Sequence, residues 1–368
     1  MALWTSTTVT DVTKKEENDK VTSPAEKEDS WSTSKKNVGI DLGYGFVKLM
    51  DGANELIFPS VVGVGKEIKF LSDSFFQKNE VENLVVTYED RQYFVGNLAV
   101  RQSDIASRSL DQNRVTDKNA KILLLTALGL LAKWDNQIFN IVTGLPTDLF
   151  GAYYMDWSKS IKGQYEVAFG SNGSKKVKKF SVKEARIIPQ PFGTLYDQIL
   201  TGTGAQTQQE LARLVVGIVD IGFRTTDFAV ANELEFIDHL SFSTNTALSS
   251  AYRIIGARLR EDYKIDKENH ELDRIVEQGA IRIAGKSYDL TGMKKDAYEQ
   301  VATKIITEMD SRWDYRDFDV ILLTGGGGKA LSEYLLPHFP NMRLVDRPQH
   351  ANTRGFQKMA NGVFSDKH

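Results

Sequence analysis

Two aspartates in this chain stand at the end of an apolar run with a glycine two positions on: Asp41 in "NVGIDLGYGFVKLMDG", residues 37–52, and Asp220 in "RLVVGIVDIGFRTTDFAV", residues 213–230. A glycine-rich reversal lets backbone N–H groups approach an anion closely, because no Cβ intervenes at Gly43 and Gly45. Phosphate is the anion this suits. An aspartate beside phosphate repels it unless a divalent cation lies between them, so Asp41 implies Mg²⁺ held mostly through water. Lys48, on the returning run, can neutralise phosphate oxygens as a point charge. Taken alone, the first stretch is equally well an ordinary hairpin. The second copy brings Asp220, Gly222, Thr225, Thr226 and Asp227, another carboxylate and a turn with hydroxyl donors. One triphosphate clamped between two hairpins accounts for both.

A third element, "LLTGGGGKAL", sets Gly325, Gly326, Gly327 and Gly328 after a buried strand and before a helix. Four glycines permit a flat nucleoside to lie against backbone, where a side chain would collide. A flexible turn is the plainer alternative.

The elements that must position these residues follow from the hydrophobic pattern. "NVGIDLG" and "FVKLMDG" pair as a hairpin across the glycine turn, "ELIFPSVVGVG" follows, and "NLVVTYEDRQYFVG" is another hairpin within a polar insertion on the first sheet. A buried helix is expected near 118–134, the strand "FNIVTGLP" after it, a helix near 147–161, and a hairpin in "YEVAFGSNGSKKVKKFSV" turning at Asn172 and Gly173. The grammar then restarts at residue 213. The strand, the Asp-x-Gly and the return recur, an internal duplication too widely spaced for a solenoid. Helical patterns follow at 246–263, 270–280 and 293–312, and "NTRGFQKMANGVF" closes the chain as a last helix. Alternating strands and helices in two similar halves indicate α/β architecture.

Composition narrows the rest. The 368 residues, 41% hydrophobic and 26% charged with net charge −3, give no bulk field that calls for nucleic acid or membrane. No cysteine is present, which excludes a disulfide framework, thiolate zinc and a cysteine nucleophile. The five histidines form no His-x-x-x-His pair, against a histidine metal site. The longest apolar run, "ILLLTALGLLA" from Ile122 to Ala132, is too short to span a bilayer. Residues 1–36, rich in charged residues, Ser and Thr, have no apolar signal segment and are expected to be a disordered tail, with Trp4 and Trp31 isolated in it.

In this order and spacing, the three glycine elements resemble the phosphate-1, phosphate-2 and adenosine motifs of the superfamily of actin, sugar kinases and heat-shock chaperone ATPases. Within it, "VGIDLGYGFVK", "RIIPQPFGTLYD", "VDIGFRTTDFAV", "LLTGGGGKAL" and "NTRGF" look most like the ParM-type bacterial and archaeal actin-like proteins. The resemblance implies two actin-like, RNase H-like domains flanking a nucleotide cleft, each with a small inserted subdomain. It places domain I at 37–188 with an insertion at about 64–116, domain II at 189–345 with an insertion at about 255–300, and a C-terminal helix in 346–368 that returns to domain I. Carried over by position, Asp41 sits by Mg²⁺, Gly43, Tyr44 and Gly45 offer amides, and Lys48 touches the β and γ phosphates. Gln190 takes the place of the residue that orients the attacking water, and Asp220 is the second carboxylate near metal and water, with Gly222 and Thr225 on phosphate. Glutamine is no strong base, so slow hydrolysis is expected. Two positions depart from relatives, which often carry a small residue after Gly222: Phe223 stands against an amide approach, and Arg224 reaches phosphate or faces solvent. The ribose contacts, expected near 253–264 or 275–282, are unassigned.

ATP, with GTP as the alternative, and Mg²⁺ are the implied ligands. The leading expectation is a cytoplasmic ATPase that polymerises into filaments of itself and moves plasmid or other DNA, or positions intracellular cargo, through a DNA-binding adaptor. A soluble small-molecule kinase and a non-polymerising regulatory ATPase are the alternatives. A kinase would need an acceptor pocket and an aspartate base, and the chain has Gln190 and no large insertion for a substrate domain. A peptide-binding domain beyond residue 368, as a chaperone would need, is not expected, and neither is membrane insertion. Lys175, Lys176, Lys178, Lys179, Lys183 and Arg186 form a basic patch, read as a solvated strand face; contact with an acidic neighbour or DNA is the alternative, and direct nucleic-acid binding is not expected.

Overall fold

The computed structural model describes residues 35–66, 80–103, 106–107, 117–133, 135–170, 175–267 and 269–365. The chain opens with β1 (Lys35–Leu42), β2 (Phe46–Met50), β3 (Glu55–Pro59) and β4 (Val62–Val64). It continues through β5 (Leu84–Tyr88), β6 (Arg91–Val95), α1 (Asn97–Gln102) and β7 (Ala106–Ser107). Then come α2 (Lys118–Leu131), β8 (Gln137–Leu145), α3 (Thr147–Ile161), β9 (Gly163–Phe169), β10 (Lys176–Pro189) and α4 (Phe192–Ile199). These strands form one ten-stranded sheet in the order β3-β2-β1-β8-β10-β9-β5-β6-β4-β7.

The second sheet is built from β11 (Val215–Ile221), β12 (Thr226–Asn232), β13 (Glu235–Phe236) and β14 (Phe242–Thr244), followed by α5 (Leu248–Tyr263) and α6 (Asn269–Gln278). A separate two-stranded ribbon, β15 (Ala280–Ile283) with β16 (Lys286–Asp289), precedes α7 (Thr291–Asp310). Next are β17 (Val320–Thr324), α8 (Gly325–Leu335), β18 (Met342–Leu344) and α9 (Ala351–Phe364). The second sheet runs β13-β12-β11-β17-β18, with β14 also pairing β12.

The duplication read from the sequence is carried into the registers. In each sheet an antiparallel hairpin pairs through its first strand with a parallel neighbour, β1 with β8 and β11 with β17. Leu42 pairs with Val47 around the tip 43–46, and Ile221 pairs with Thr226 around the tip 222–225, so the two tips are of equal length. One pair further down, Asp41 faces Lys48 and Asp220 faces Asp227. Lys48 and Asp227 are therefore equivalent positions carrying opposite charge.

Packing explains the helix that the apolar run forms. In α2, Asp117 caps the first turn by accepting from Asn119 N at 2.8 Å, and the stretch Ile122–Gly129 is buried throughout. A helix hydrophobic all round belongs inside, and α2 sits in the core of the first sheet with Val38, Ile40, Phe139 and Phe180. No helix among the described residues is long and apolar enough to cross a membrane. A second core lies on the α5–α7 side of the other sheet around Phe228, Trp313 and Ile305. A third joins the sheets through α4 and α9, with Val142, Ile188, Leu195, Ile218, Leu322 and Phe356. On that seam Asp197 of α4 takes Arg354 and Lys358 of α9, with Lys358 Nζ at 2.9 Å.

Three sequence expectations change, and a fourth lies outside the described residues. The tail expected over 1–36 ends earlier, because Lys35 and Lys36 already pair in parallel with Ile138 and Phe139; residues 1–34 lie outside the described residues. The turn at Asn172 and Gly173 also lies outside them. The hairpin arm expected to end near residue 182 is instead the long β10, which passes a register shift between Val182 and Glu184 and runs on to Pro189. Finally, Gly325 to Gly328 do not form a turn before a helix; they are the first turn of α8.

Candidate functional site

The two hairpin tips and the start of α8 meet at a cleft of about 570 Å³. Asp41, Gly43, Tyr44, Gly45, Lys48, Gln190, Asp220, Gly222, Thr225, Gly325, Gly326 and Gly327 all line it. Gly328 does not; it is buried one step along α8 against Leu323. Twelve residues singled out by sequence thus converge on one cavity from positions as distant as 41 and 327.

Each side chain is aimed by its strand. Asp41 and Asp220 are the penultimate residues of β1 and β11, buried to 3% and 5% exposure. Lys48 comes back from β2 with Nζ 2.9 Å from Asp41 Oδ2. Gln190 follows β10 directly, and its Nε2 donates to Asp41 Oδ1 at 3.0 Å. Asp41 therefore has one oxygen on a cation and the other on an amide. Asp220 has no lysine across the ladder. Burial, then Asp227 and Asp41, push its carboxyl up to about 7, while Lys48 and a hydrogen bond from Asn352 pull it down.

The tips face each other. A Cβ on Gly45 would lie 2.9 Å from Cβ of Phe223, so only glycine admits that ring against the first tip. Phe223 in turn packs edge-on against Tyr252, with ring centroids 5.4 Å apart. Arg224 is exposed, and its guanidinium lies 5.2 Å from the Tyr44 ring centroid, in cation–π range. Close approach also gives Gly325 its role. With φ at +85° and Asp220 Oδ1 2.5 Å from where a Cβ would stand, position 325 excludes any side chain.

Asp227, named in the second copy but given no role of its own, also lines the cleft, with several residues that the sequence reading left unassigned. Asp227 accepts from Thr147 N at 3.1 Å, from Thr225 Oγ1 at 3.1 Å and from the Ser243 hydroxyl, tying the second tip to the start of α3. Its equivalence to Lys48 in the duplicated pattern was the available signal. On the far side of the cleft lie Leu248 and Tyr252 of α5, Val276 and Glu277 of α6, Lys294 and Tyr298 of α7, and Lys329 of α8. Residues 253–264, one of the two regions expected to reach ribose, contribute nothing to the described lining. Helical phase alone could not separate these faces.

The basic patch is partly neutralised where it stands. Lys179 pairs with Glu166 at 3.2 Å, and Lys178 donates to Ala132 O at 2.8 Å, while Lys175, Lys176, Lys183 and Arg186 are exposed.

The donor set fits Mg²⁺ of a particular kind. Among the described residues no group of three His, Cys, Asp or Glu side chains could cage a metal. Two buried carboxylates bordering a glycine-lined cavity suit an ion that keeps its waters and takes its remaining oxygens from a bound phosphate.

The comparisons with known proteins agree with this layout. Residues 39–193 match the family model for the N-terminal domain of actin-like proteins, and residues 218–336 match that for the C-terminal domain of the archaeal MreB-like actin homologue. Among solved structures, the chain is similar to a ParM in a 15-stranded filament from Clostridium botulinum, with 27% identity over 89% of this chain and 99% of that one at a TM-score of 0.76. It is also similar to the pCBH ParM non-polymerisable quadruple mutant, with 26% identity over 88% of this chain and 98% of that one at a TM-score of 0.71. An archaeal actin homologue in complex with ADP shares the fold at 18% identity over 88% and 98% of the two chains, with a TM-score of 0.72. Among curated proteins, none matches the sequence.

Proposed function

Because the chain belongs to the actin-like ATPase superfamily, in its ParM-type branch, we propose that it binds ATP with Mg²⁺ between its two sheets, hydrolyses it slowly, and assembles with copies of itself into nucleotide-dependent filaments. The observation that carries the reading is the pair of equal hairpin tips, each with an aspartate on its penultimate strand residue, converging on one glycine-lined cleft. The amides of Gly43, Tyr44, Gly45 and Gly222 and the hydroxyl of Thr225 are the donors for the phosphates. Lys48 is close enough to Asp41 to exchange its carboxylate for a phosphate oxygen. Gly325 and Gly327 pack against β11, and Gly326, where a Cβ would meet only the Gln349 side chain, leaves open backbone surface on which a nucleoside lies, with ATP favoured over GTP by family.

When bound, Mg²⁺ neutralises phosphate charge; Asp41 and Asp220 are the carboxylates that hold its waters. Gln190 acts by positioning. An amide can orient water but takes its proton poorly, so turnover is slow and the ATP-bound state persists. Domain closure around nucleotide sets the assembly-competent form, and hydrolysis loosens it. Filaments in the ParM relative support self-assembly. Segregation of plasmid or other DNA through an adaptor, in the cytoplasm, is the biological use that this branch favours.

The test is phosphate release from MgATP by the purified chain. Slow release that falls sharply but stays measurable in Asp220→Asn is expected; no nucleotide-dependent release, or release indifferent to Asp220, overturns the assignment.

A further inference from the structure

Asp220 is fixed by a residue that lies far along the chain. Asn352, near the start of α9, donates from Nδ2 to Asp220 Oδ2 at 2.7 Å. Its Oδ1 accepts from Thr194 N at 3.0 Å. A backbone N–H can only donate, so the Thr194 amide fixes which end of the Asn352 side chain is oxygen and leaves Nδ2 for Asp220. The Thr194 hydroxyl reinforces this, lying 2.8 Å from Asn352 Oδ1 and 2.9 Å from Thr324 Oγ1, and Thr324 donates to Pro348 O at 3.1 Å. Asn352, Thr194 and Thr324 are all buried, at 6%, 0% and 0% exposure.

The chain of contacts joins separate motifs. Thr194 sits in the first turn of α4, closely after Gln190; Asp220 lies near the end of β11; Thr324 precedes the glycines of α8; and Asn352 begins "NTRGF". Resting on the reading of Asp220 as the carboxylate beside metal and water, we propose that Asn352 is a positioning residue for hydrolysis, holding the Asp220 carboxylate in one orientation and tying it to the helix that follows Gln190.

A purely structural role is the rival. The N-cap of α4 is Pro191, which supplies no side-chain bond, so Asn352 Oδ1 serves as a cap contributed from another helix. Asn352→Asp separates the two. It keeps an acceptor for Thr194 and so keeps the cap, but it replaces the donor toward Asp220 with a carboxylate. Steady-state MgATP hydrolysis by the full chain is measured for the unaltered protein, Asn352→Asp, Asp220→Asn and the double variant, with circular dichroism reporting folding. Expected is a fall in kcat of about 10- to 100-fold in Asn352→Asp with KM changed far less, the size seen when groups that orient a site's ligands are removed. In the Asp220→Asn background the same substitution produces no further fall, and the melting temperature recovers, because the amide introduced at position 220 can then donate to the carboxylate introduced at position 352. Asn352→Asp turning over like the unaltered protein, or an equal loss in both backgrounds, overturns the proposal. If the unaltered protein hydrolyses no ATP, the parent reading fails and this one falls with it; hydrolysis with additive losses sinks this one alone.

Discussion

Gln190 and Asp41, 149 residues apart, are joined by a hydrogen bond of 3.0 Å from amide to carboxylate across the first sheet. The contact places the residue assigned to the attacking water directly on the carboxylate assigned to the metal. Gln190→Ala is therefore expected to lower hydrolysis by about 10²-fold while nucleotide binding survives. Single-turnover phosphate release beside titration with a fluorescent ATP analogue separates the two effects. Loss of binding with unchanged turnover of the bound fraction would refute the role.

The raised Asp220 carboxyl makes stability depend on pH. Its ordinary value is 3.8 and its folded value about 7, so the folded protein holds the proton over a range where the unfolded chain has lost it. The stabilising contribution is full below about pH 4 and is lost as pH rises through about 7, with a slope of up to about 1.4 kcal/mol per pH unit. Free of metal and nucleotide, the protein should melt at lower temperature at pH 8 than at pH 5.5, and Asp220→Asn should flatten that difference. Identical slopes in the two proteins would count against it.

Neighbouring glycines of α8 should behave differently. Gly325→Ala forces a side chain into positive φ and against Asp220 and the Ile221 carbonyl, at a cost of about 2 kcal/mol or more. A Cβ at Gly326 meets only the Gln349 side chain, at 3.9 Å. Thermal unfolding should therefore separate them sharply, while Gly326→Ala, on the cleft wall, weakens nucleotide affinity. Equal melting temperatures would contradict the packing argument.

Reversal of the exposed basic residues, Lys175→Glu, Lys176→Glu and Lys183→Glu together, should leave ATP turnover and affinity for duplex DNA as they were. Fluorescence anisotropy at low salt is the measurement. A DNA affinity that the reversal abolishes would restore the patch as a binding face.

Much of the site was legible because its residues are local to strand ends: Asp41 with Gly43 and Gly45, and Asp220 with Gly222, advertise themselves within a few positions. What the sequence hid was pairing at long range. Asn352 meets Asp220 across 132 residues and Thr194 across 158, and no periodicity marks such a contact. β10 was read short because its first half is a lysine-rich, exposed run, and the register shift between Val182 and Glu184 separates that run from its buried end. The four glycines were read as a turn before a helix, yet α8 already begins at Gly325 and packs there on β11 and β17.

The central claim is nucleotide-dependent self-assembly, and sedimentation of the pure protein at micromolar concentrations with MgATP, checked by negative-stain microscopy, tests it most directly. The account predicts pelleted filaments with MgATP that disperse as hydrolysis proceeds and that persist in Gln190→Ala. A protein that binds and hydrolyses MgATP but remains in the supernatant at every concentration would contradict it.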